Sequence, residues 1–178
     1  MFLIYGGISL IENCTNCDLC KNQRPLLDNK ACCDVMWVGL SAKKVLDVNT
    51  DTPLGDNTNS GKIIKLIEEE LSDLTFYKTN LVKCLPLDNN KLRYPTTLEM
   101  EACLHNLMLE VNILKPKIVF ALGRVTYNFI SKYLKGNFKL IYIEHPSYIF
   151  VYKRKFIDDY IEKVVSLCRN VMPKKFTR

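Results

Sequence analysis

The sequence predicts an α/β fold: a three-layer sandwich in which a four-stranded parallel sheet is flanked by helices. Strand-like and helix-like segments alternate four times along the chain, which is typical of a parallel sheet covered on both faces. Three polar, turn-rich segments each follow the carboxyl end of a predicted strand. With 178 residues, of which 48% are apolar, the chain is long enough for a sizeable core and fits one domain over residues 1–178.

Each element has its own signal. Residues 1–11 are apolar and predict a first strand or an arm. Asp34–Gly39 is a short apolar run ending in glycine, which indicates a buried strand. Ser60–Leu71 has the periodicity of an amphipathic helix with Ser60 as its N-cap. The later predicted elements are a strand at 76–82, a helix at 97–114 that begins with Thr97, a strand at 117–122, a helix through Lys135, a strand at 140–144 and a closing helix at 156–168.

The three polar segments are residues 40–59, 83–96 and 145–155. Because the carboxyl ends of parallel strands meet at one edge of a sheet, these segments should converge there. The sequence therefore predicts a single active cleft.

Composition and charge restrict the class of protein. No apolar run is long enough to cross a bilayer, and the start lacks the features of a signal peptide, so we expect an intracellular, cytoplasmic protein without membrane contact. The net charge of +6, with basic residues at 153–155 and again at 174, 175 and 178, favours a polyanion partner. Ordinary solvated lysines would give a similar excess.

The eight cysteines indicate a metal centre, because intracellular chains rarely use a disulfide framework. Cys14 and Cys17 form a CxxC pair. Cys84 directly follows a predicted strand, and Cys103 lies early in a predicted helix. Zinc accepts four cysteine ligands, but compact zinc sites usually repeat the CxxC pair. One pair with two isolated cysteines suits a [4Fe–4S] cluster, whose irons spread their ligands more widely.

The remaining cysteines have simpler interpretations. Cys20 extends the pair to CxxCxxC and is the alternative ligand. Cys32, Cys33 and Cys168 are expected to act as small buried hydrophobes.

Five segments carry a resemblance to a known family, namely Cys14-x2-Cys17, Thr79-Asn-Leu-Val-Lys-Cys-Leu-Pro86, Tyr94-Pro-Thr-Thr-Leu-Glu-Met-Glu-Ala-Cys103, Lys115-Pro-Lys-Ile-Val-Phe-Ala-Leu-Gly123 and His145-Pro-Ser-Tyr148. In this order and spacing they resemble the family 4 uracil-DNA glycosylases, the iron–sulfur branch of that superfamily. The resemblance extends from Cys14 to about Lys163. It implies a monofunctional enzyme that removes uracil or a related base from DNA and leaves an abasic site, and we expect a monomer.

The resemblance also assigns roles. It maps the cluster ligands onto Cys14, Cys17, Cys84 and Cys103, the catalytic histidine onto His145 and the base-reading asparagine onto Asn80. The expected substrate contacts are Gly39, Leu40, Ser41, Leu54, Asn80 and Ser147. The expected DNA contacts are an apolar wedge at Ile149 or Phe150, with Lys153 and Arg154 on phosphates. The alternative is that this segment is a buried strand-to-helix connection.

The residue types fit this chemistry. A base must leave the duplex before its glycosidic bond can be reached, and it departs with negative charge. His145 could donate a hydrogen bond to that anion, and the Asn80 amide offers both donor and acceptor to a pyrimidine edge. Without the resemblance, a turn histidine and a strand-end asparagine are the simpler interpretations.

The first family motif departs from the pattern. No carboxylate follows Gly39, a feature closer to family 5, so water activation falls to Asp47, with Asp51, Asp56, a main-chain carbonyl or no particular group as alternatives. Leu54 stands where the family has a phenylalanine that stacks on uracil. Lys43 and Lys44 are unexpected beside a base pocket.

These departures leave other functions open. The pocket could take a different, modified or damaged base. The chain could also be an iron–sulfur module that binds DNA without cutting it, or a metal-bound redox protein.

Overall fold

The structure, a computed structural model, describes residues 10–174 of the chain. Its centre is a sheet formed by β1 (Val35–Ser41), β2 (Phe76–Val82), β5 (Ile118–Leu122) and β6 (Lys139–Ile143). Neighbouring strands are parallel, and their order is β2-β1-β5-β6. The predicted α/β class and parallel sheet are confirmed. The strand or arm expected at 1–11 lies almost entirely outside the described residues.

Helices cover both faces of the sheet, namely α1 (Asn59–Glu70), α2 (Thr97–Leu114), α3 (Arg124–Tyr133), α4 (Pro146–Tyr152) and α5 (Ile157–Arg169). Helices α2 and α3 pack on one face, around Met36, Tyr77 and Leu107. Helices α1, α4 and α5 pack on the other face, where the Trp37 ring stacks on Phe120 with their centroids 4.8 Å apart. This is the predicted three-layer arrangement.

Two helices begin with different caps from those expected. The N-cap of α1 is Thr58, whose Oγ1 accepts from the Gly61 N–H at 2.9 Å. The Ser60 hydroxyl, the predicted cap, is buried and has no hydrogen-bond partner among the described residues. Helix α2 is capped by Thr96, which forms a capping box with Glu99. Both caps precede the predicted ones because the cap residue itself keeps an extended backbone.

Two short elements were missed by the sequence interpretation. Strands β3 (Leu87–Asp88) and β4 (Lys91–Leu92) form an antiparallel hairpin inside the polar segment 83–96. Its turn residues Asn89 and Asn90 have positive φ angles of 48° and 62°, which asparagine tolerates better than most residues. In the segment 145–155, the sequence interpretation also missed the helix α4, which has Pro146 at its first position.

Strand β2 lies at the edge of the sheet, and residues 26–28 run beside it. The Leu26 N–H donates to the Lys83 carbonyl at 2.9 Å, and the Lys78 N–H donates to Asp28 Oδ2 at 3.0 Å. These contacts occupy backbone groups that an edge strand otherwise leaves free. Within residues 10–174, no helix has both the length and the apolar character needed to cross a membrane.

Candidate active site and cysteine centre

A cavity of about 660 Å³ opens where the three polar segments meet. Its lining includes residues of the loop after β1, Asn80 of β2, Leu92 of the small hairpin with Tyr94 just after it, and residues of the His145–Tyr152 segment. This volume is in the usual range for small-molecule sites. The predicted convergence of the three segments is therefore confirmed.

Asn80 lies on β2 directly beside Gly39 of β1 in the parallel register. The Asn80 side chain is 4% exposed and covers the Gly39 backbone so closely that a Cβ at position 39 would collide with Asn80 Oδ1. Leu54 closes over the same glycine, with its Cδ2 at 3.5 Å from that Cβ position. Glycine at position 39 thus leaves room for the amide that faces the cavity.

His145 is the N-cap residue of α4 and also lines the cavity. Its Nδ1 accepts a hydrogen bond from the Ser147 N–H at 3.3 Å. In the neutral ring the proton then belongs on Nε2, because one nitrogen accepts and the other carries hydrogen. Burial, together with the positive charge of Lys43, lowers the pKa of His145 to about 4. At neutral pH the ring is therefore uncharged and offers Nε2–H as a donor.

The three candidate carboxylates occupy different positions. Asp47 does not line the cavity, and its Oδ1 accepts from the backbone N–H and side-chain amide of Asn49, both at 2.9 Å. Asp51 lines the cavity, but its Oδ2 accepts the backbone N–H groups of Leu46 and Asp47. Asp56 also lines it and pairs with Lys78 at 3.2 Å. Asp47, the residue predicted to activate water, thus lies outside the cavity lining, and the other two carboxylates already accept hydrogen bonds or pair with a lysine.

Lys43 and Lys44 both line the cavity, and neither forms an ion pair with a described residue. The side chain of Gln23, which lies in a different segment, hydrogen-bonds to the backbone of the loop that carries both lysines. Its Nε2 donates to the Lys43 carbonyl and its Oε1 accepts from the Val45 N–H, each at 3.1 Å. The result is positive charge close to His145 that no carboxylate in residues 10–174 pairs with directly. Sequence reasoning had no way to find the Gln23 contact.

The other predicted substrate contacts fall at the cavity with one exception. Leu40, Ser41, Leu54 and Ser147 line it, whereas Gly39 lies beneath the Asn80 amide. Leu54 adopts a left-handed conformation with φ 54°, which is costly for a branched residue. The carbonyls of Leu54 and Gly55 approach Gly61 so closely that only glycine fits at the start of α1.

The wedge prediction is wrong for Ile149. This side chain is 2% exposed, because the helical turn of α4 directs it into the core. Phe150 is half-buried, with the cationic groups of Lys62 and Arg154 over its ring at 5.6 and 5.4 Å.

Two tyrosines that the sequence interpretation overlooked are exposed at the cavity instead. Tyr148 and Tyr152 lie four residues apart on α4, and their ring centroids are 5.2 Å apart. Their side chains are 44% and 75% exposed. The Lys153 ammonium lies 5.4 Å from the Tyr148 ring and pairs with Glu144 at 2.8 Å. Recognising a helix at 146–152 would have revealed this i, i+4 pair.

Two of the predicted cysteine ligands, Cys14 and Cys103, share one hydrogen-bond donor. The Asn106 amide donates to Cys14 Sγ at 3.2 Å and to Cys103 Sγ at 3.7 Å, and the Lys83 N–H donates to Cys103 Sγ at 3.3 Å. Burial raises the pKa of Cys84, and negative charge on Cys103, Cys17, Cys14 or Cys20 would raise it further. The Cys84 sulfur is thus within electrostatic reach of the other predicted ligands and of Cys20, the alternative ligand.

Cys20 lies near the same group, but its thiol donates to the Cys17 carbonyl at 3.2 Å. Within residues 10–174, no three Cys, His, Asp or Glu side chains are arranged to hold one metal ion. The donors that surround the sulfurs are nevertheless those that tune thiolate-ligated clusters. The hydrogen-bond donors around Cys14 and Cys103 are therefore of the kind that stabilise thiolates.

Comparison with known proteins agrees with this geometry. The sequence pattern of the uracil DNA glycosylase superfamily matches residues 33–168. A type-4 uracil-DNA glycosylase of Pyrobaculum aerophilum is 33% identical over 124 residues, which cover 66% of this chain but only 59% of that relative. Another from Archaeoglobus fulgidus is 26% identical over 197 residues, covering 93% of this chain and 94% of the relative.

A solved structure shares the fold. The crystal structure of SMUG2 from Pedobacter heparinus matches with a TM-score of 0.65 and 17% identity, covering 83% of this chain and 80% of that one. The superfamily match includes β1 with Gly39, β2 with Asn80 and the turn that carries His145. Because that match covers most of the sequence, the chain belongs to the uracil DNA glycosylase superfamily.

Proposed function

We propose that this protein is a monofunctional DNA glycosylase that hydrolyses the N-glycosidic bond of uracil and leaves an abasic site. The observation that carries the proposal is the pairing of Asn80 and His145 at one cavity. The amide can read a pyrimidine edge, and the neutral imidazole presents Nε2–H to a base oxygen. The relatives named type-4 uracil-DNA glycosylases make uracil the first substrate to test.

The reaction is a heterolysis of the bond between the sugar C1′ and the base nitrogen. The base leaves with the electron pair, and the sugar becomes an oxocarbenium ion. His145 Nε2–H stabilises the negative charge that develops on the base oxygen, as a preorganised donor does in an oxyanion hole. Water then adds to C1′ and loses a proton to solvent. Because water attacks late, this route needs no strongly basic carboxylate, in keeping with the engaged oxygens of Asp51 and Asp56.

Lys43 adds a positive charge to the hydrogen bond that His145 donates to the departing base. It lines the cavity without a carboxylate partner among the described residues, and its charge reaches His145. A cation near the leaving anion lowers the barrier by the same electrostatic argument as the histidine donor. In this chain, stabilisation of the base thus compensates for the carboxylate that is missing after Gly39.

DNA binding is proposed for the rim of the cavity on α4. Tyr148 and Tyr152 present exposed rings on which bases can stack, in place of the buried Ile149. Lys153 and Arg154 lie directly after this helix and supply positive charge for phosphates. Phe150 remains a candidate for a smaller contact, because it is half-buried.

The cysteine centre is proposed to hold a [4Fe–4S] cluster through Cys14, Cys17, Cys84 and Cys103. When bound, the cluster supplies structural cross-links and no chemistry to base removal. Asn106 and the Lys83 N–H would donate hydrogen bonds to its cysteine sulfurs. Cys17 lies just before the short 3-10 helix Asp18–Lys21, and Gln23 follows it. A bound cluster would thereby stabilise the segment that includes Gln23, whose side chain hydrogen-bonds to the loop of Lys43.

A second candidate is excision of a modified or otherwise altered base. It is favoured by Leu54, which gives no aromatic face for uracil, and by two lysines in the cavity that have no ion-pair partner among residues 10–174. These features suit a base with a larger or anionic substituent.

The experiment is excision from an oligonucleotide that contains one uracil, opposite guanine, opposite adenine or single-stranded, followed by alkaline cleavage. Protein purified without oxygen should release uracil, and His145→Ala should not. Cleavage only with a modified base would select the second candidate. Tight binding without any abasic product, across a panel of bases, would overturn the enzymatic proposal.

A further inference from the structure

A fully buried ion pair lies directly behind the base-reading residue. The side chains of Lys83 and Glu110 are both 0% exposed, and Lys83 Nζ lies 2.6 Å from Glu110 Oε2. Lys83 Nζ also donates to Thr79 Oγ1 at 2.8 Å and to the main-chain carbonyl of Asn80 at 2.6 Å. A lysine ammonium has three donors, so every one is used. Such a buried charge needs a specific reason, because desolvation makes it costly.

Glu110 anchors this ammonium to both layers of the fold. It lies on α2, and its carboxylate accepts from the hydroxyls of Tyr77 and Thr79 on β2 at 3.0 Å each. Two hydroxyls and one ammonium satisfy the carboxylate. A fully satisfied network of this kind is rigid, because no member can move without exposing another.

The rigid network bears on one catalytic group. Asn80 lies on the edge strand β2, so its backbone has a neighbouring strand on one side only. Gly39 supports the Asn80 side chain from β1, while Lys83 holds the Asn80 carbonyl. Packing on Gly39 and the hydrogen bond from Lys83 thus together fix the direction of the Asn80 side-chain amide. A displacement of about 1 Å in such a group can cost roughly a hundredfold in rate.

We propose that Lys83, neutralised by Glu110, is a positioning residue that holds the Asn80 backbone so that its amide faces the base. This inference rests on the proposed role of Asn80 in reading the base. Lys83 does not touch the substrate. Its effect passes through Asn80, and this distinguishes it from a lysine that merely stabilises the core.

The test is a double-mutant cycle on single-turnover excision. Lys83→Met with Glu110→Gln removes both charges together and leaves an acceptor for the two hydroxyls, so no buried charge is left unpaired. When this pair of substitutions is introduced into the wild type, it should slow excision by about 10- to 100-fold. When it is introduced into Asn80→Ala, it should have no further effect. Affinity for DNA with an abasic-site analogue should stay unchanged in both backgrounds. Tyr77→Phe, which leaves the Lys83–Asn80 contact intact, is the matched control.

A second readout does not depend on excision. The side-chain amide signals of Asn80 in a nitrogen-15 spectrum can be identified by their loss in Asn80→Ala. They should shift or broaden in the Lys83→Met/Glu110→Gln variant and not in Tyr77→Phe. The inference would be overturned if the Lys83→Met/Glu110→Gln pair slowed excision in the Asn80→Ala background by the same factor as in the wild type. It would also be overturned if the Asn80 amide signals kept their wild-type positions in the Lys83→Met/Glu110→Gln variant. Absence of uracil excision by the wild type would count against the proposed function alone, since the amide signals still decide the role of Lys83.

Discussion

The two sides of the cavity are held in different ways. Asn80 is fixed by a buried network and by close packing on Gly39, and His145 is fixed by the start of a helix. The loop 42–58 instead depends on local turns around Asp51 and on the Gln23 side chain, and its Leu46 is fully exposed. The difference teaches that Asn80 and His145, which the resemblance assigns, lie on a strand and at the start of a helix, whereas Leu54 and Lys43, at the departures from the family pattern, lie in the loop between β1 and α1. Loops tolerate change more readily than the elements that they connect.

The largest effect is expected on the rigid side. His145→Ala and Asn80→Ala should each lower single-turnover excision by about 10²–10³-fold, because each removes a preorganised group that contacts the base. Cluster absorbance and melting temperature should remain near wild type. Full activity in either variant would show that the rigid side does not carry the chemistry.

A smaller effect is expected from the loop. Lys43→Met should slow uracil excision about tenfold, equivalent to about 1.4 kcal/mol of lost stabilisation of the departing anion. The loss should shrink with 5-fluorouracil, which leaves more readily as an anion. Lys91→Met removes the same charge from an exposed position outside the cavity lining and serves as control. An equal loss for both bases would mean that Lys43 acts on DNA binding instead.

A gain is expected when the loop is moved towards the family pattern. Leu54→Phe keeps the same backbone and adds an aromatic face, so uracil excision should rise about fivefold, the lower end of what base stacking provides. The strained φ of Leu54 limits how well the ring can align. No gain on uracil, with a loss on a modified base, would favour the second candidate substrate.

The smallest effect is expected on stability. The pKa of His145 is lowered to about 4, so its neutral form stabilises the folded state above the unfolded value near 6.5. That contribution, about 1 kcal/mol for a ring still partly in contact with water, should disappear as pH falls from about 6.5 to 4. In denaturant titrations, His145→Gln should remove this pH dependence of the unfolding free energy. The same loss is expected when His145→Gln is introduced into a His105→Gln variant, which lacks the other histidine. A difference in unfolding free energy between the wild type and the His145→Gln variant that stays constant over this range would rule out a buried neutral ring.

The sequence predicted the sheet, four of the five helices that cover it and the convergence of three loops, because hydrophobic periodicity and strand ends are local signals. The resemblance assigned Asn80 and His145, which the structure places at one cavity. The buried position of Ile149 was missed because a seven-residue helix that begins at a proline gives too little periodicity. The Lys83–Glu110 pair joins positions 27 residues apart, and nothing local indicates such a contact.

The most direct test of the account is single-turnover release of uracil from DNA by the wild-type protein and by His145→Ala, both with their cluster absorbance recorded. The account predicts an alkali-labile site at the uracil with the wild type and a loss of about 10²-fold or more in the variant. An intact, DNA-binding wild type that leaves uracil in place, or a variant as active as the wild type, would contradict it.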